Sequence, residues 1–253
     1  MFFDTHAHLD DTAFDADRAS LIESFKDTGV TRVLNASSNM ASSHATVALS
    51  EKYDFIYGAV GVHPDSAERF SEEDLEEIEK LLTLPRIVAI GECGLDYYYD
   101  DVPPEIQREV FDKQAALAYE LGRPIIVHDR DAHRDCLEIL KKFPGIAAVY
   151  HCFSGSVEYA RELVKLGFYV SFGGAVTFKN ARCAPEVLKD IPHERVLLET
   201  DCPYMAPVPH RGKRNHPGFI PLIAEKIGEL WGMSAEEVGR ITTKNANTFF
   251  CID

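Results

Sequence analysis

Short apolar runs alternate with amphipathic helical stretches along the whole chain. Eight of the apolar runs are rich in β-branched and aromatic residues and have the length of buried strands. We predict strands over residues 2–4, 31–35, 55–60, 87–90, 125–127, 147–150, 168–172 and 196–198. Strands that alternate with helices are typical of α/β folds with a parallel sheet.

Helical patterns occupy several segments between these strands. We predict helices over residues 16–28, 71–82, 103–121 and 157–166, and a terminal helix over residues 234–253. Ser234 and Glu237 have the spacing of a capping box, in which each side chain accepts a hydrogen bond from the backbone of the other. Eight strand–helix units without a linker or a change in composition favour a single (β/α)8 TIM barrel over residues 1–253, rather than a doubly wound sheet.

Composition and charge narrow the possible functions. The 253 residues are 45% hydrophobic, which is enough to fill the core of one such barrel. The chain has no apolar stretch of roughly 18 residues and no signal-peptide pattern, so we expect a cytoplasmic protein with no membrane partner. The six cysteines form no Cys-x-x-Cys pair, which argues against a disulfide framework or a structural zinc knuckle. The net charge of −15 repels polyanions, so a nucleic-acid substrate must be held locally.

Two histidines directly follow the first apolar run. Alternate side chains of an extended strand share one face, so His6 and His8 can point at one metal ion while Ala7 points away. Four further metal-compatible residues end later strands: Glu92, His128, His151 and Asp201. The carboxyl ends of the strands in a parallel barrel meet at one rim, where active sites of this fold are built. We therefore expect the six side chains to form a metal site at that rim.

The number and type of these ligands predict two divalent ions. Four imidazoles and two carboxylates exceed the needs of one tetrahedral ion, and they suit two ions about 3.5–4 Å apart that share Glu92. Nitrogen and oxygen ligands without thiolate fit zinc, manganese, iron or magnesium and do not distinguish among them. Cys93, Cys152 and Cys202 each follow a candidate ligand, but strand alternation turns them to the opposite face, where we expect packing residues.

A dense positive cluster at residues 210–214 follows the last strand and should therefore lie near the metal rim. Its Arg211 and Lys213 are candidate substrate residues, because guanidinium and ammonium groups bind phosphate oxygens. Arg130, two residues after His128, is a further phosphate candidate. Tyr97 begins a run of three tyrosines that either stacks on an unpaired base or packs against the rim. For the positive cluster at residues 210–214, the alternative to phosphate binding is a solvated loop.

Seven motifs cover nearly the whole chain in order. They are DTHAHLD at residues 4–10, GVHP at 61–64, GECGLDY at 91–97, HDR at 128–130, HCFSG at 151–155, ETDCPY at 199–204 and APVPHRGKRN at 206–215. Together they resemble the TatD family of metal-dependent deoxyribonucleases, which belongs to the amidohydrolase-like barrels. No candidate ligand position is substituted, and only the segment NANTFF at 245–250 is a slightly altered form of the family pattern.

This resemblance implies a hydrolase of phosphodiester bonds that uses divalent metal ions and trims single-stranded DNA from its 3′ end. It implies that His6, His8, Glu92 and Asp201 hold one ion, and that Glu92, His128 and His151 hold the other. The substrate would be a DNA end, and no protein partner is implied. The native metal, the choice between DNA and RNA and the oligomeric state stay open.

The predicted chemistry needs a group that takes a proton from the attacking water. Asp201 is the candidate acceptor, with a role as ligand only as the alternative. His63, just after the third strand, either orients the substrate, passes a proton to the leaving group or is structural. Glu92 is counted with these catalytic residues as the shared ligand. Two other functions stay open, namely an amidase or esterase, including an aminoacyl-tRNA deacylase, and a metal-dependent binding protein.

Overall fold

Eight parallel strands form one sheet in sequential order, β1 to β8, in the computed structural model, which describes residues 1–252. The strands are β1 Phe2–Ala7, β2 Val30–Ala36, β3 Ile56–Val60, β4 Ile87–Asp96, β5 Ile125–Arg130, β6 Ala148–Tyr150, β7 Tyr169–Phe172 and β8 Val196–Leu198. Helices alternate with these strands, so the fold is a (β/α)8 TIM barrel and the predicted fold class is confirmed.

Nine α-helices lie within residues 1–252. They are α1 Arg18–Ser24, α2 Met40–Lys52, α3 Glu72–Leu81, α4 Pro104–Glu120, α5 His133–Leu140, α6 Val157–Lys165, α7 Cys183–Asp190, α8 Ile220–Trp231 and α9 Ala235–Phe250. Short 3-10 turns occupy Thr12–Phe14, Phe25–Thr28, Pro64–Arg69, Gly174–Thr177, His193–Arg195 and Pro217–Phe219. The capping box predicted at Ser234 and Glu237 begins α9, and an equivalent one at Ser71 and Asp74 begins α3.

The structure changes several of the predicted elements, and it extends β1 to Ala7 and β5 to Arg130. Strand β4 runs to Asp96 rather than ending at residue 90, and all ten of its residues are buried, so Glu92 lies inside the strand rather than after it. The helix predicted over residues 16–28 is α1 followed by a 3-10 turn, which ends at Gly29 with a positive φ of 78°. The terminal helix predicted over residues 234–253 ends at Phe250, since Cys251 has a positive φ of 54°, and Asp253 lies outside the described residues. Among residues 1–252, no helix is both long and apolar enough to cross a membrane.

The chain divides into two compact units. The first contains Met1–Asn35 and the chain from Cys152 onward, and the second is Ala36–His151. In the first unit, the residues after β1 and β8 are joined directly. Ala7 forms a parallel bridge with Cys202, and the His8 N–H donates to the Cys202 carbonyl at 2.8 Å. The candidate ligands at the ends of these two strands are therefore held side by side.

Candidate metal centre

A cluster of two imidazoles and a carboxylate lies at the carboxyl ends of β1 and β8. The Nε2 atoms of His6 and His8 are 3.2 Å apart. Asp201 Oδ1 lies 3.5 Å from Nε2 of His8 and 4.0 Å from Nε2 of His6. His6 is fully buried, whereas the side chains of His8 and Asp201 are each 14% exposed. The predicted ligands of the first unit therefore converge at a point that solvent can reach.

The local backbone explains the position of Asp201. Its φ of 55° lies in the left-handed region, which Asp tolerates better than most residues because its short side chain can hydrogen-bond locally. The Asp201 N–H donates to the His6 carbonyl at 2.9 Å, and the Asp201 carbonyl accepts from the Tyr204 N–H at 2.9 Å. These two bonds hold the carboxylate beside β1.

Asp4 supports this cluster from the barrel interior. Its carboxylate accepts from the N–H of Thr200 at 2.9 Å and from the Thr200 hydroxyl at 2.5 Å. Burial raises the pKa of Asp4 to about 7, although the hydrogen bonds from Thr200 and from the His6 N–H act in the opposite direction. Asp4 is fully buried, and its bonds tie the end of β8 to β1.

A second cluster lies in the other unit and converges on Glu92. Its Oε1 atom is 2.7 Å from Nε2 of His151, 2.9 Å from Nδ1 of His128 and 3.7 Å from Nε2 of His63. The two histidine atoms nearest Glu92 are themselves 3.2 Å apart. Three predicted ligands, together with the predicted catalytic His63, are thus brought together around one carboxylate oxygen.

The donor atoms of both clusters fit divalent metal ions. Ligands at 2.0–2.1 Å from a tetrahedral ion lie about 3.3 Å from one another. The His6–His8 and His128–His151 nitrogen pairs are both separated by 3.2 Å. Glu92, His128 and His63 also offer donor atoms that all lie within 4.8 Å of one another. Imidazole nitrogens grouped with carboxylate oxygens form a set that zinc and manganese accept.

Asp96 fixes the orientation of His128, a role that the sequence analysis missed. Asp96 Oδ2 lies 3.0 Å from Nε2 of His128, so the Nδ1 atom is the one that faces Glu92. Burial raises the pKa of Asp96, but the hydrogen bond to His128 and those from the Tyr99 and Tyr98 N–H groups lower it more, and the result is below the ordinary value. The available signal was its place inside GECGLDY, at the end of the strand that carries Glu92.

Burial and the contacts with Asp96 and Glu92 shift the pKa of His128 in opposite directions. Burial lowers it, while the hydrogen bonds to Asp96 and Glu92 raise it, and the net direction is upward in the absence of a metal ion. Carboxylates on both sides of an imidazole keep electron density on the nitrogen that faces the site. This arrangement is the one found around histidines that bind metals.

His63 has a carboxylate neighbour that the sequence analysis did not identify. Its Nδ1 is 3.1 Å from Oδ1 of Asp65, and the Asp65 N–H lies 3.3 Å from the same nitrogen. Burial raises the pKa of Asp65, but the hydrogen bond to His63, the charge interaction with His63 and the hydrogen bond to Ser66 together hold it below its usual value. His63 begins the 3-10 turn Pro64–Arg69, and its backbone N–H donates to the Ser38 carbonyl at 2.9 Å. Its Nε2 atom is therefore left facing Glu92.

The three cations in the positive cluster at residues 210–214 have different surroundings. The Arg211 guanidinium lies over the Phe178 ring at 4.5 Å, and Lys213 is exposed. Arg214 instead forms a two-pronged ion pair with Asp17, with N–O distances of 2.6 and 2.8 Å. Arg214 thus anchors the loop, and Arg211 and Lys213 stay predicted substrate residues.

Asn215 is a second residue whose role the sequence did not reveal. It is fully buried, and its Nδ2 donates to the carbonyls of Thr200 and Tyr204 at 2.7 Å each. Its backbone N–H donates to the Pro203 carbonyl at 3.0 Å. The loop that carries the positive cluster at residues 210–214, called the basic loop from here on, is thereby attached to the turn that carries Asp201.

The three tyrosines after Asp96 differ in their surroundings. The Tyr97 hydroxyl donates to Asp135 at 2.8 Å, and burial together with Asp135 raises the pKa of Tyr97 to about 12. Tyr98 and Tyr99 are 57% and 55% exposed. The guanidinium of Arg130 lies over the Tyr98 ring at 4.1 Å. Tyr97 stays a predicted substrate residue, but its two neighbours present the larger exposed rings.

Comparisons with known proteins agree with this geometry. The family model described as TatD related DNase matches residues 3–251. An uncharacterized metal-dependent hydrolase of Bacillus subtilis, YabD, is 48% identical over 255 residues, which cover 100% of both chains. A protein of Pantoea vagans named 3′-5′ ssDNA/RNA exonuclease TatD is 36% identical over 98% of both chains. The crystal structure of YJJV, a TatD homolog of Escherichia coli, superposes with a TM-score of 0.93 at 31% identity, covering 100% of this chain and 98% of that one.

Proposed function

Since the chain belongs to the family of TatD-related DNases, we propose that it hydrolyses phosphodiester bonds at the 3′ end of single-stranded DNA with the help of divalent metal ions. The observation that carries this proposal is a group of three donor atoms, namely Glu92 Oε1, His128 Nδ1 and His151 Nε2. Each lies within 3.2 Å of the other two. The relative from Pantoea vagans, whose name includes single-stranded DNA and RNA, supports the choice of substrate.

The proposed ligands follow the two clusters. His6, His8 and Asp201 would hold one ion, and Glu92, His128 and His151 would hold the other. That Glu92 also serves the first ion is a prediction from the family resemblance and is part of this proposal. Zinc, manganese and magnesium are the candidates for the ions. A divalent ion held there would lower the pKa of a coordinated water towards about 7 and would polarise a phosphoryl oxygen.

Asp201 is the proposed proton acceptor for the attacking water. Its carboxylate is partly exposed to solvent and is fixed by backbone bonds on both sides, so it can take a proton without moving. His63 is proposed to deliver a proton to the departing oxygen. Its Nδ1 is held by Asp65, which leaves Nε2 as the nitrogen that faces Glu92 and the reacting groups. Proton transfer of this kind contributes about 10²–10⁴-fold to a rate.

Arg211 and Lys213 are proposed to bind the phosphates of the substrate strand, and Arg130 and Tyr97 to contact it in the other unit. These cations provide a local attraction that a chain of net charge −15 otherwise lacks. Phosphate contacts of this type position a strand and carry no sequence preference. A cytoplasmic location, where single-stranded ends arise during DNA and RNA turnover, belongs to the same proposal.

The test is a substrate panel with metal-free protein reconstituted with Zn²⁺, Mn²⁺ or Mg²⁺. We expect release of mononucleotides from a strand labelled at its 5′ end, shortening it stepwise from the 3′ end, and complete loss of this activity in EDTA. Asp201→Asn should lower the rate at least 100-fold. Full activity of the metal-free protein would contradict the metal mechanism. Turnover of an aminoacyl ester with DNA left intact would instead favour the esterase alternative.

A further inference from the structure

A cavity of about 320 Å³ lies beside the carboxyl end of β7, and neither the metal centre nor the basic loop accounts for it. Its walls come from residues 152–154, 172–173, 175–176 and 180–184, and from Met205. Apolar side chains dominate the lining, among them Phe153, Val176 and Met205, while Asn180 and Arg182 add polar groups. Its volume is at the lower end of the roughly 300–1,000 Å³ of pockets that hold small organic molecules.

Two backbone contacts fix this cavity relative to the proposed proton acceptor. Met205 lies four residues after Asp201, and the turn between them is closed by the bond from the Tyr204 N–H to the Asp201 carbonyl at 2.9 Å. On the other side, the Cys152 N–H donates to Oε1 of Glu199 at 2.5 Å, and Glu199 precedes Asp201 by two residues. Residues 199–205 thus connect the cavity wall at Cys152 and Met205 with the candidate catalytic carboxylate of Asp201.

The loop that carries Arg211 is attached to residues that lie next to the cavity wall in the chain. The Val208 N–H donates to the Thr177 hydroxyl at 2.9 Å, and the Arg211 guanidinium lies over the Phe178 ring. Gly174 packs so closely against the Met205 carbonyl that a Cβ would collide with it. The segments that form the cavity are therefore connected both to the turn after Asp201 and to the loop that carries Arg211.

We propose that this cavity receives the 3′-terminal base of the substrate strand, an inference that rests on the proposed function. Aromatic and methionine side chains pack well against the flat face of a base. The Asn180 side-chain amide has both donor and acceptor atoms, so it can hydrogen-bond the polar edge of any base. Arg211 would then hold a phosphate further along the strand, on the 5′ side of the scissile linkage.

This arrangement gives a physical reason for acting on single strands. A base inside a duplex is paired and stacked, and it can enter a cavity only after leaving its partner, at a cost of a few kcal/mol. An unpaired terminal base enters without that cost. The cavity thus selects for unpaired ends by its shape, without reading the identity of the base.

The test uses the metal-loaded protein and an oligodeoxynucleotide with the fluorescent base 2-aminopurine at its 3′ end and a phosphorothioate in the last linkage, so that binding is seen without cleavage. We expect the fluorescence to change on binding and the affinity to fall about tenfold when the terminal base is replaced by an abasic residue. Ala175→Leu, which fills the cavity, should lower the affinity for the intact strand to that for the abasic one. Ala48→Leu, an exposed position on α2, is the matched control.

The outcomes separate this inference from the proposed function. Equal affinities for the intact and abasic strands, or a response only from a 5′-terminal 2-aminopurine, would overturn the cavity assignment even if DNA is hydrolysed. A base-dependent signal without hydrolysis of the unmodified strand would support the cavity and contradict the proposed function. If Ala175→Leu fails to fold, Asn180→Ala at the exposed edge takes its place, and an unchanged affinity for the intact strand in that variant contradicts the inference.

Discussion

His128 is held between two carboxylates, with Nε2 lying 3.0 Å from Asp96 and Nδ1 lying 2.9 Å from Glu92. The pairing with Asp96 determines which ring nitrogen is available to the metal centre. Asp96 itself accepts from the N–H groups of Tyr98 and Tyr99 at 2.9 and 3.2 Å. One side chain thus connects the candidate ligand with the exposed tyrosines that follow β4.

Asp96→Asn tests this orienting role. An amide in place of the carboxylate no longer favours the His128 tautomer that presents Nδ1 to the site, so we expect metal affinity to fall about 10–100-fold. Isothermal titration calorimetry of the metal-free protein with Zn²⁺ or Mn²⁺ measures the metal affinity directly. Asp112→Asn, on the exposed face of α4 where it pairs with Lys142, is the matched control. An affinity equal to that of the wild type would show that Asp96 does not act through His128.

Arg211→Ala should separate substrate binding from chemistry. Arg211 is proposed to contact phosphate, so its loss should raise KM for single-stranded DNA about tenfold and leave kcat/KM for bis(4-nitrophenyl) phosphate nearly unchanged. The salt dependence of DNA binding should also become weaker, since about one phosphate contact fewer is made. Arg240→Ala, an exposed cation on α9, removes the same charge elsewhere. If both variants weaken DNA binding equally, only net charge matters.

The exposed tyrosines give a prediction for the second unit. Tyr98 is 57% exposed beside the Arg130 guanidinium, a combination of ring and cation that suits an unpaired base and its phosphate. We expect Tyr98→Ala to weaken binding of a single-stranded oligonucleotide about tenfold, and to have no effect on a strand made entirely of abasic residues. Tyr119→Ala, at a 47% exposed position on α4, serves as the control. A loss of the same size for the abasic strand would exclude stacking.

The barrel could be predicted from the sequence, and the candidate ligands could be proposed from it, because both have local signals. His6 and His8 are spaced by one residue directly after a short apolar run, which places both on one face of a strand. Strand ends such as the one before Asp201 recur at regular intervals. The strand boundary at β4 was wrong because Gly91 and Gly94 look like the end of a strand. In the structure both glycines lie within β4 and allow it to approach β5 closely.

The partners of the ligands could not be predicted in the same way. Asp96, Asp65 and Asn215 act through hydrogen bonds whose geometry depends on how turns fold back, and a polar residue after a strand has many possible neighbours. For a similar reason, the sequence could not predict which cation of the basic loop forms an ion pair. Asp17, which pairs with Arg214, is 197 residues away in sequence. Only the folded chain shows that Arg214 is paired with Asp17 while Lys213 is exposed.

Gly94→Ala tests how closely β4 and β5 must approach to place His128. Gly94 has a φ of 145°, and a Cβ there would collide with the His128 carbonyl. The β5 backbone would have to move, so we expect both a loss of unfolding free energy of about 3 kcal/mol or more and weaker metal binding.

Gly122→Ala provides the comparison for this prediction. Gly122 also has a positive φ, of 60°, but no atom lies within 4 Å of the position that its Cβ would take. It therefore shows the cost of backbone strain alone, which is about 1–2 kcal/mol for a left-handed residue. Chemical denaturation and metal titration of both variants measure the difference. If Gly94→Ala is no more destabilising than Gly122→Ala and binds metal like the wild type, close packing at Gly94 does not position His128.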